Sequence, residues 1–167
     1  GATVYGGHIA LRVVSSSQSS LQGGVTLQRS QYKNLEQWSD NPDVPATKNM
    51  FRTPDAYGYF TLNYNPIKPL TLGLTGSFTG PMWMQHFEGS GTDIDVAERT
   101  KSFADIGFKA AYDFKLYSSF SLQINAGAQN IFNSFQNDFD SGADRDSGYI
   151  YGPTLPRTCF FGIKLIY

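Results

Sequence analysis

The chain has 167 residues, with 13 Lys plus Arg against 14 Asp plus Glu and a formal net charge of −1. That balance removes the basic surplus a nucleic-acid binder carries, and the single cysteine, Cys159, excludes an internal disulfide framework or a zinc site of paired cysteines. Charged residues are only 16% and aromatics 15%, no run approaches the ~18 consecutive apolar residues of a membrane helix, and no basic-then-apolar leader is read, so no signal peptide is expected.

The elements expected in chain order are strands of period two. Residues 4–14 group Tyr5, Ile9, Leu11 and Val13 against His8, Ala10, Arg12 and Val14. After a serine-rich turn at 15–19, residues 20–30 set Leu21, Gly23, Val25 and Leu27 against Gln22, Gly24, Thr26 and Gln28. A long connection, 31–56, follows. Residues 57–65 place Phe60, Leu62 and Tyr64 together, opposite Tyr59, Thr61 and Asn63. The turn 66–69 (Pro-Ile-Lys-Pro) leads to 70–79, where Leu70, Leu72, Leu74 and Phe78 alternate with Thr, Gly and Ser. A second long connection is 80–101. Residues 102–114 carry Ala104, Ile106, Phe108, Ala110, Tyr112 and Phe114 on one face and Asp105, Lys109 and Asp113 on the other. The turn 115–119 joins them to 120–129, with Leu122, Ile124, Ala126 and Ala128 alternating with Gln, Asn and Gly. After a third long connection, 130–156, the last run puts Cys159, Phe161, Ile163, Leu165 and Tyr167 on one face.

Short turns that alternate with connections of more than about 20 residues are unusual in compact soluble domains. They are the pattern of a transmembrane β-barrel, with short periplasmic turns and long outside loops. Each strand has about the 9–11 residues that cross a bilayer at a tilt. The polar face is rich in Thr, Ser, Gln, Asn and Gly and poor in charge, which suits a lumen better than a solvated surface. Aromatics near the strand ends form two interfacial girdles: Tyr57, Phe78, Trp83 and Phe103 toward the long loops, and Tyr64, Phe114, Tyr117 and Tyr167 toward the turns. The fold class expected is all-β: an antiparallel transmembrane β-barrel portion of about seven strands. Bacterial single-chain barrels carry even numbers. At about 24 residues per strand, a 22-stranded barrel needs roughly 525 residues. Residues 1–167 are therefore expected to be a segment of a larger barrel, with Tyr167 its natural end and two sheet edges that lipid does not tolerate unpaired.

The outside loops supply the candidate site. Trp38, Trp83, His86, Tyr149 and Tyr151 are the side chains suited to an organic ligand at a barrel mouth. Asp138, Asp140, Asp144 and Asp146 faintly resemble a calcium loop, but no closing Glu is present and Arg145 opposes a cation. They are read as a loop network in which Arg145 or Arg157 pairs with an Asp. Two histidines 78 residues apart (His8 and His86) make no metal spacing. No G-x-S-x-G elbow occurs, so no catalytic residue, metal or cofactor is expected. Cys159 falls on the apolar face, an inert lipid-facing position.

Residues 122–133 (Leu-Gln-Ile-Asn-Ala-Gly-Ala-Gln-Asn-Ile-Phe-Asn) resemble the penultimate strand and loop entry of TonB-dependent outer-membrane receptors. Asp138-Phe139-Asp140, the run from Asp144 to Pro153, and Leu155-Pro156-Arg157 resemble the last loop of such receptors of the Bacteroidetes type. Phe161, Ile163, Leu165 and Tyr167 are similar to the C-terminal signal read by the barrel-assembly machinery. The resemblance implies the C-terminal barrel segment of a receptor whose N-terminal plug, TonB box and other strands are absent from residues 1–167. It implies a cell outer-membrane location and import of a scarce nutrient (an iron–siderophore, haem, cobalamin or glycan). Energy then comes from the TonB complex through the plug, and outer-membrane lipid is a partner. The readings set against it are a soluble lipocalin-like ligand-binding barrel, an outer-membrane β-barrel enzyme and a porin.

Overall fold

The structure, a computed structural model, describes every residue except Ser17 and Ser118. These two sit in the expected turns 15–19 and 115–119, and that part of the expectation lies outside the described residues. Among the described residues ten strands follow one another: β1 (Ala2–Ser16), β2 (Ser19–Glu36), β3 (Thr47–Asn49), β4 (Ala56–Ile67), β5 (Leu70–Thr79), β6 (Trp83–His86), β7 (Val96–Arg99), β8 (Phe103–Tyr117), β9 (Phe120–Gln129) and β10 (Thr158–Ile166). Seven of them form one antiparallel meander in the order β1-β2-β4-β5-β8-β9-β10, β3 adds to β2, and β6 pairs with β7 as a separate hairpin. The seven are those expected from the alternation. The sheet does not close: β1 and β10 stand at its two edges.

The register carries the alternation from strand to strand. One row reads Val13, Leu21, Leu62, Leu74, Phe108, Ala128 and Cys159 across all seven strands. The neighbouring row on the opposite face reads Arg12, Gln22, Thr61, Thr75 and Gly107. Near the short-turn end Asp113, Gln123 and Lys164 stand in line on this polar face, and the Gln123 amide donates to Asp113 at 2.8 Å. Lys109 and Asp105 share the face.

The apolar face is not covered by the chain. Ile9 is 78% exposed, and Phe161, Ile163 and Leu165 are also open. Apart from Ala111 in the body of β8, the buried side chains gather instead at the long-loop end: Val44, Met84, Phe103 and Tyr149, with Ser39, His86, Thr100, Asn130 and Gln136. At the short-turn end Phe120 and Tyr167 meet at 5.0 Å between ring centroids, and Tyr117 stands exposed.

The long connections differ from expectation in being partly strand. β2 continues to Glu36 because Gln31 and Glu36 pair with Asn49 and Thr47 of β3. Backbone pairing, not hydrophobic alternation, extends it, so residues 31–36 carry no period-two signal. The connection 80–101 folds back on itself as the β6–β7 hairpin, Trp83 opposite Arg99 and His86 opposite Val96.

If the two faces meet lipid and lumen, an arginine tells them apart. Leu74→Arg in the full-length protein folded into lipid vesicles is expected to lose about 2–4 kcal/mol, while Thr75→Arg, one residue on, changes little. Urea titration measures both; equal losses would contradict the assignment of faces.

Candidate ligand-facing loop cluster

His86 closes β6 and is 5% exposed. Its Nε2 lies 3.0 and 3.1 Å from the two carboxylate oxygens of Asp140, whose side chain is 3% exposed. A carboxylate only accepts, so Nε2 carries a proton and donates it to Asp140. Nδ1 faces Glu98 Oε1 at 3.5 Å without forming a hydrogen bond. The Tyr149 ring stacks on His86 at 3.8 Å and 8°, and the Tyr149 hydroxyl donates to Glu98 Oε2 at 2.6 Å. Tyr151 meets Tyr149 edge-on at 5.2 Å and donates its hydroxyl to Asp138. One continuous polar and aromatic cluster therefore ties the connection 130–156 to the β6–β7 hairpin.

The charges in it are held by their neighbours. Burial alone raises the Asp140 carboxyl, but hydrogen bonds from the Asp146 amide and His86, the His86 charge and the Gly91 amide outweigh it and hold the group below its ordinary 3.8. Burial, then the hydrogen bond to Glu98, pushes the Tyr149 hydroxyl up. Burial and the bond to Asp138 do the same to Tyr151. Asp95 is lowered by the Ser39 hydroxyl, which donates at 2.5 Å, and by the Glu88 amide at 2.8 Å.

Three further side chains brace the connections. Arg52 donates to the carbonyls of Gly148 at 2.6 Å and Ile150 at 3.2 Å, and its backbone sits in the left-handed region at φ 57°. That conformation is costly for an arginine; here the Arg52 amide also donates to Trp83 O at 2.8 Å. Asn130, at φ 48°, accepts from the Ser134 amide and donates to the carbonyls of Ser134 and Leu155, stapling the two ends of 130–156. Gln136 is 1% exposed; its amide donates to Tyr149 O at 3.0 Å and its carbonyl accepts from the Tyr151 and Gly152 amides at 2.8 and 3.3 Å.

Of the candidates read from the sequence, His86, Tyr149 and Tyr151 come together. Trp38 packs against Phe51 and Phe87 at 5.2 and 6.1 Å and donates to Pro45 O, joining the first connection to the second. Trp83 lies under Arg99 at 5.8 Å, and Arg99 pairs with Asp55 at 3.3 Å. Tyr149, at 3% exposure, offers no surface to a ligand in this conformation. The expected pairing of Arg145 or Arg157 with an Asp is corrected. Arg145 donates to Gly142 O, and the Arg157 amide donates to Asn133 Oδ1. Among the described residues the ion pairs are His86 with Asp140 and Glu98, and Arg99 with Asp55. Tyrosine, histidine and amide donors take the place of arginine because they lie nearer: Asp146 accepts from the Phe87 and Gly148 amides. Asp144 contributes its backbone carbonyl to Ser90.

Glu98, Asp95, Ser39, Arg52, Asn130 and Gln136 carry the cluster and were not singled out from the sequence. Of these, Asn130 lies inside the run 122–133 that resembles the receptors. No group of His, Cys, Asp and Glu suited to a metal occurs among the described residues. Two depressions open near the cluster. One of about 690 Å³ lies between connections at Glu88, Asp93, Asp144 and Arg145. One of about 310 Å³ lies on the polar face at Thr61, Thr75, Asp105 and Gln129.

No protein-family model and no curated protein matches the chain. Solved structures do. The closed form of the ferric-catecholate import receptor Fiu of E. coli K12 matches at 20% identity and a TM-score of 0.67, over 99% of this chain and 21% of that one. Two variants of the ferric enterobactin receptor PfeA of Pseudomonas aeruginosa match at 20% and 19% identity, with TM-scores of 0.58 and 0.57, over 99% of this chain and 22% of theirs. The likeness establishes the fold as that of a stretch of these receptor barrels, and the chain spans about a fifth of their length.

Two outcomes follow from the cluster. The lowered Asp140 carboxyl contributes stability that is complete above its ordinary 3.8 and is lost as pH falls below that value. Protection of the amides at 86–91 and 140–146, taken against their intrinsic exchange rate at each pH, is therefore expected to fall on acidification below about pH 4, and Asp140→Asn to remove that step. Gln136→Leu leaves buried backbone groups of Tyr149 and Tyr151 unpaired. It is expected to cost about 2–4 kcal/mol locally, read as faster exchange at 149–152 with the sheet unaffected.

Proposed function

We propose that residues 1–167 are the C-terminal segment of the β-barrel of a TonB-dependent outer-membrane import receptor, whose plug and remaining strands belong to the rest of a longer protein. The observation that carries this reading is the row from Val13 to Cys159, apolar on every one of seven strands and uncovered by the chain. Water does not tolerate an apolar surface of that extent; lipid requires one. The two open edges call for further strands, since backbone groups unpaired in hydrocarbon cost several kcal/mol each. The short turns then face the periplasm and the three long connections face outward.

The cargo class we favour is an iron–siderophore complex, after the ferric-catecholate and ferric enterobactin receptors whose fold the chain shares. Trp38 and Trp83, half-buried at the loop end, and the polar-face depression near Asp105 and Gln129 are the surfaces offered to it. The TonB complex acts through the plug, and Phe161, Ile163, Leu165 and Tyr167 serve the assembly machinery. An enzyme reading needs a base at the rim, and His86 is ill suited to it: Asp140 takes one nitrogen, Glu98 faces the other, and Tyr149 covers the ring.

The native gene product is expected in the outer-membrane fraction at a mass far above 18.5 kDa, as a band whose mobility changes on heating. Ferric-siderophore uptake by cells carrying it is expected to fall to background when the TonB complex is disrupted. A soluble native product of 18.5 kDa would overturn the reading.

A further inference from the structure

A histidine, two carboxylates and a tyrosine ring meet at the end of β6 with one polar atom left over. His86 is 5% exposed, and its Nε2 is engaged with both oxygens of Asp140. The other ring nitrogen, Nδ1, is buried and makes no hydrogen bond among the described residues. It faces Glu98 Oε1 of β7 at 3.5 Å. With a proton on Nε2 alone, Nδ1 is an acceptor, and so is a carboxylate oxygen. Two acceptors then face each other, and a buried acceptor without a donor is costly. A second proton, on Nδ1, turns that contact into a donor and an acceptor and sets an imidazolium between two carboxylates.

The two sides of the ring differ in their access to water. The Asp140 side is closed: that carboxylate is 3% exposed and also takes the Asp146 and Gly91 amides. No side chain fits at Gly91, where a Cβ would run into Asp140 Oδ1 and lie 2.7 Å from His86 Nε2. The Glu98 side is open, with that side chain 43% exposed. A proton from solvent therefore reaches Nδ1 past Glu98 without parting the loops. Tyr149 covers the ring, and its hydroxyl, pushed up by burial and by Glu98, keeps its proton. Tyr151 and Asp138 bond to each other beside Tyr149, and the Asp146 carboxylate takes the Phe87 and Gly148 amides. Arg52, which reaches this region from the first connection, has its guanidinium on the Gly148 and Ile150 carbonyls. Histidine is the side chain whose charge changes between about pH 5 and 8. The chain holds two, His86 and His8, and His8 stands on β1 against Thr26.

We infer that His86 is a proton-operated latch between the β6–β7 hairpin and the connection 130–156, tightened when Nδ1 takes a proton and donates it to Glu98, and loosened when that proton leaves. The Glu98 bond is present in acid and lost as pH rises toward neutrality and beyond. The Asp140 bonds behave oppositely and are lost as pH falls below 3.8. The latch is therefore tightest in mildly acid water. What it holds shut is Tyr149, which is 3% exposed under it, so loosening uncovers an aromatic surface suited to an organic ligand. The latch needs only the folded connections, while its position on the outer face rests on the barrel reading above.

The test uses the full-length receptor in detergent micelles. Amide protection at 83–91 and 140–152 is followed by mass spectrometry between about pH 5 and 8 and taken against the intrinsic rate at each pH. It is expected to fall about tenfold over that range, from the loss of one charge-assisted hydrogen bond, while protection of β5 and β9 stays constant. Glu98→Gln keeps an acceptor for the Tyr149 hydroxyl and puts an amide donor where Oε1 faces Nδ1, so it bonds the neutral ring. This variant is expected to stay as protected at the alkaline end as at the acid end. His86→Gln offers a donor to Asp140 but takes up no proton, and is expected to show low protection throughout. A heat-modifiable band checks that each variant still forms the barrel. A wild-type profile that is flat over the range, or a Glu98→Gln receptor unprotected at its alkaline end, overturns the latch. A soluble protein that keeps the wild-type profile and the Glu98→Gln effect supports the latch and overturns the barrel reading beneath it.

Discussion

Everything in the structure depends on one constraint, the antiparallel register that seven strands keep across the middle of the sheet. Side chains alternate across a sheet with period two, so a slip of one residue at any pair would carry a whole strand's apolar set to the other face. The register shifts by one residue at the short-turn ends, between Val14 and Ser16, Tyr64 and Ile67, and Lys115 and Tyr117, but not across the middle of the sheet: Leu62 meets Leu21 on one side and Leu74 on the other, and Phe108 continues the row. The hydrophobic effect then acts on a single continuous face. Because the chain supplies nothing to cover that face, the apolar surface must be removed from water by something else, which in the proposed barrel is lipid. The polar face inherits the complementary set by the same parity, including the Asp113–Gln123 hydrogen bond.

The interior of this chain is therefore displaced. Its close-packed region lies at the loop end, where Met84 is fully buried and His86, Gln136 and Tyr149 are buried as well. That region is held largely by polar groups, and buried polar groups are tolerated when each has a partner. Gln136 spends both ends of its amide on the backbone of Tyr149, Tyr151 and Gly152, and Asn130 does the same for its own loop. The connections thus brace one another across about 50 residues of sequence between His86 and Asp140 or Glu98 and Tyr149. Aromatic residues that suggest a ligand site are in part the mortar of this arrangement, and Tyr149 is the clearest case.

What could be read beforehand divides along the same line. Strands β5 and β9 fall at 70–79 and 120–129, as their alternation requires, because a half-buried strand writes its period into the sequence. The connections write nothing comparable. β3, β6 and β7 are three or four residues long, too short for a period. The pairing of His86 with Asp140, 54 residues on, is a product of how two loops fold together. The aspartates of 138–146 were visible as a cluster, but their partners were not: Tyr151, His86 and backbone amides lie near them only once the loop is closed. The arginine at 52 reaches Gly148 across 96 residues, and nothing in its neighbouring residues names that partner.

The length of β2 connects the two regions. It has 18 residues, where a tilted crossing takes about 9–11. The excess is not packed by hydrophobic alternation, since Gln31, Lys33 and Asn34 are polar. It is held by backbone ladders, to β1 on one side through Ala2 and Tyr32 and to β3 on the other. A strand that continues past the apolar band in this way lifts β3 and the following residues above the sheet. There Trp38 and Phe51 meet Phe87 of the second connection, and Arg52 reaches the third. The loop cluster is therefore built on a projecting two-sided ladder rather than on the rim itself.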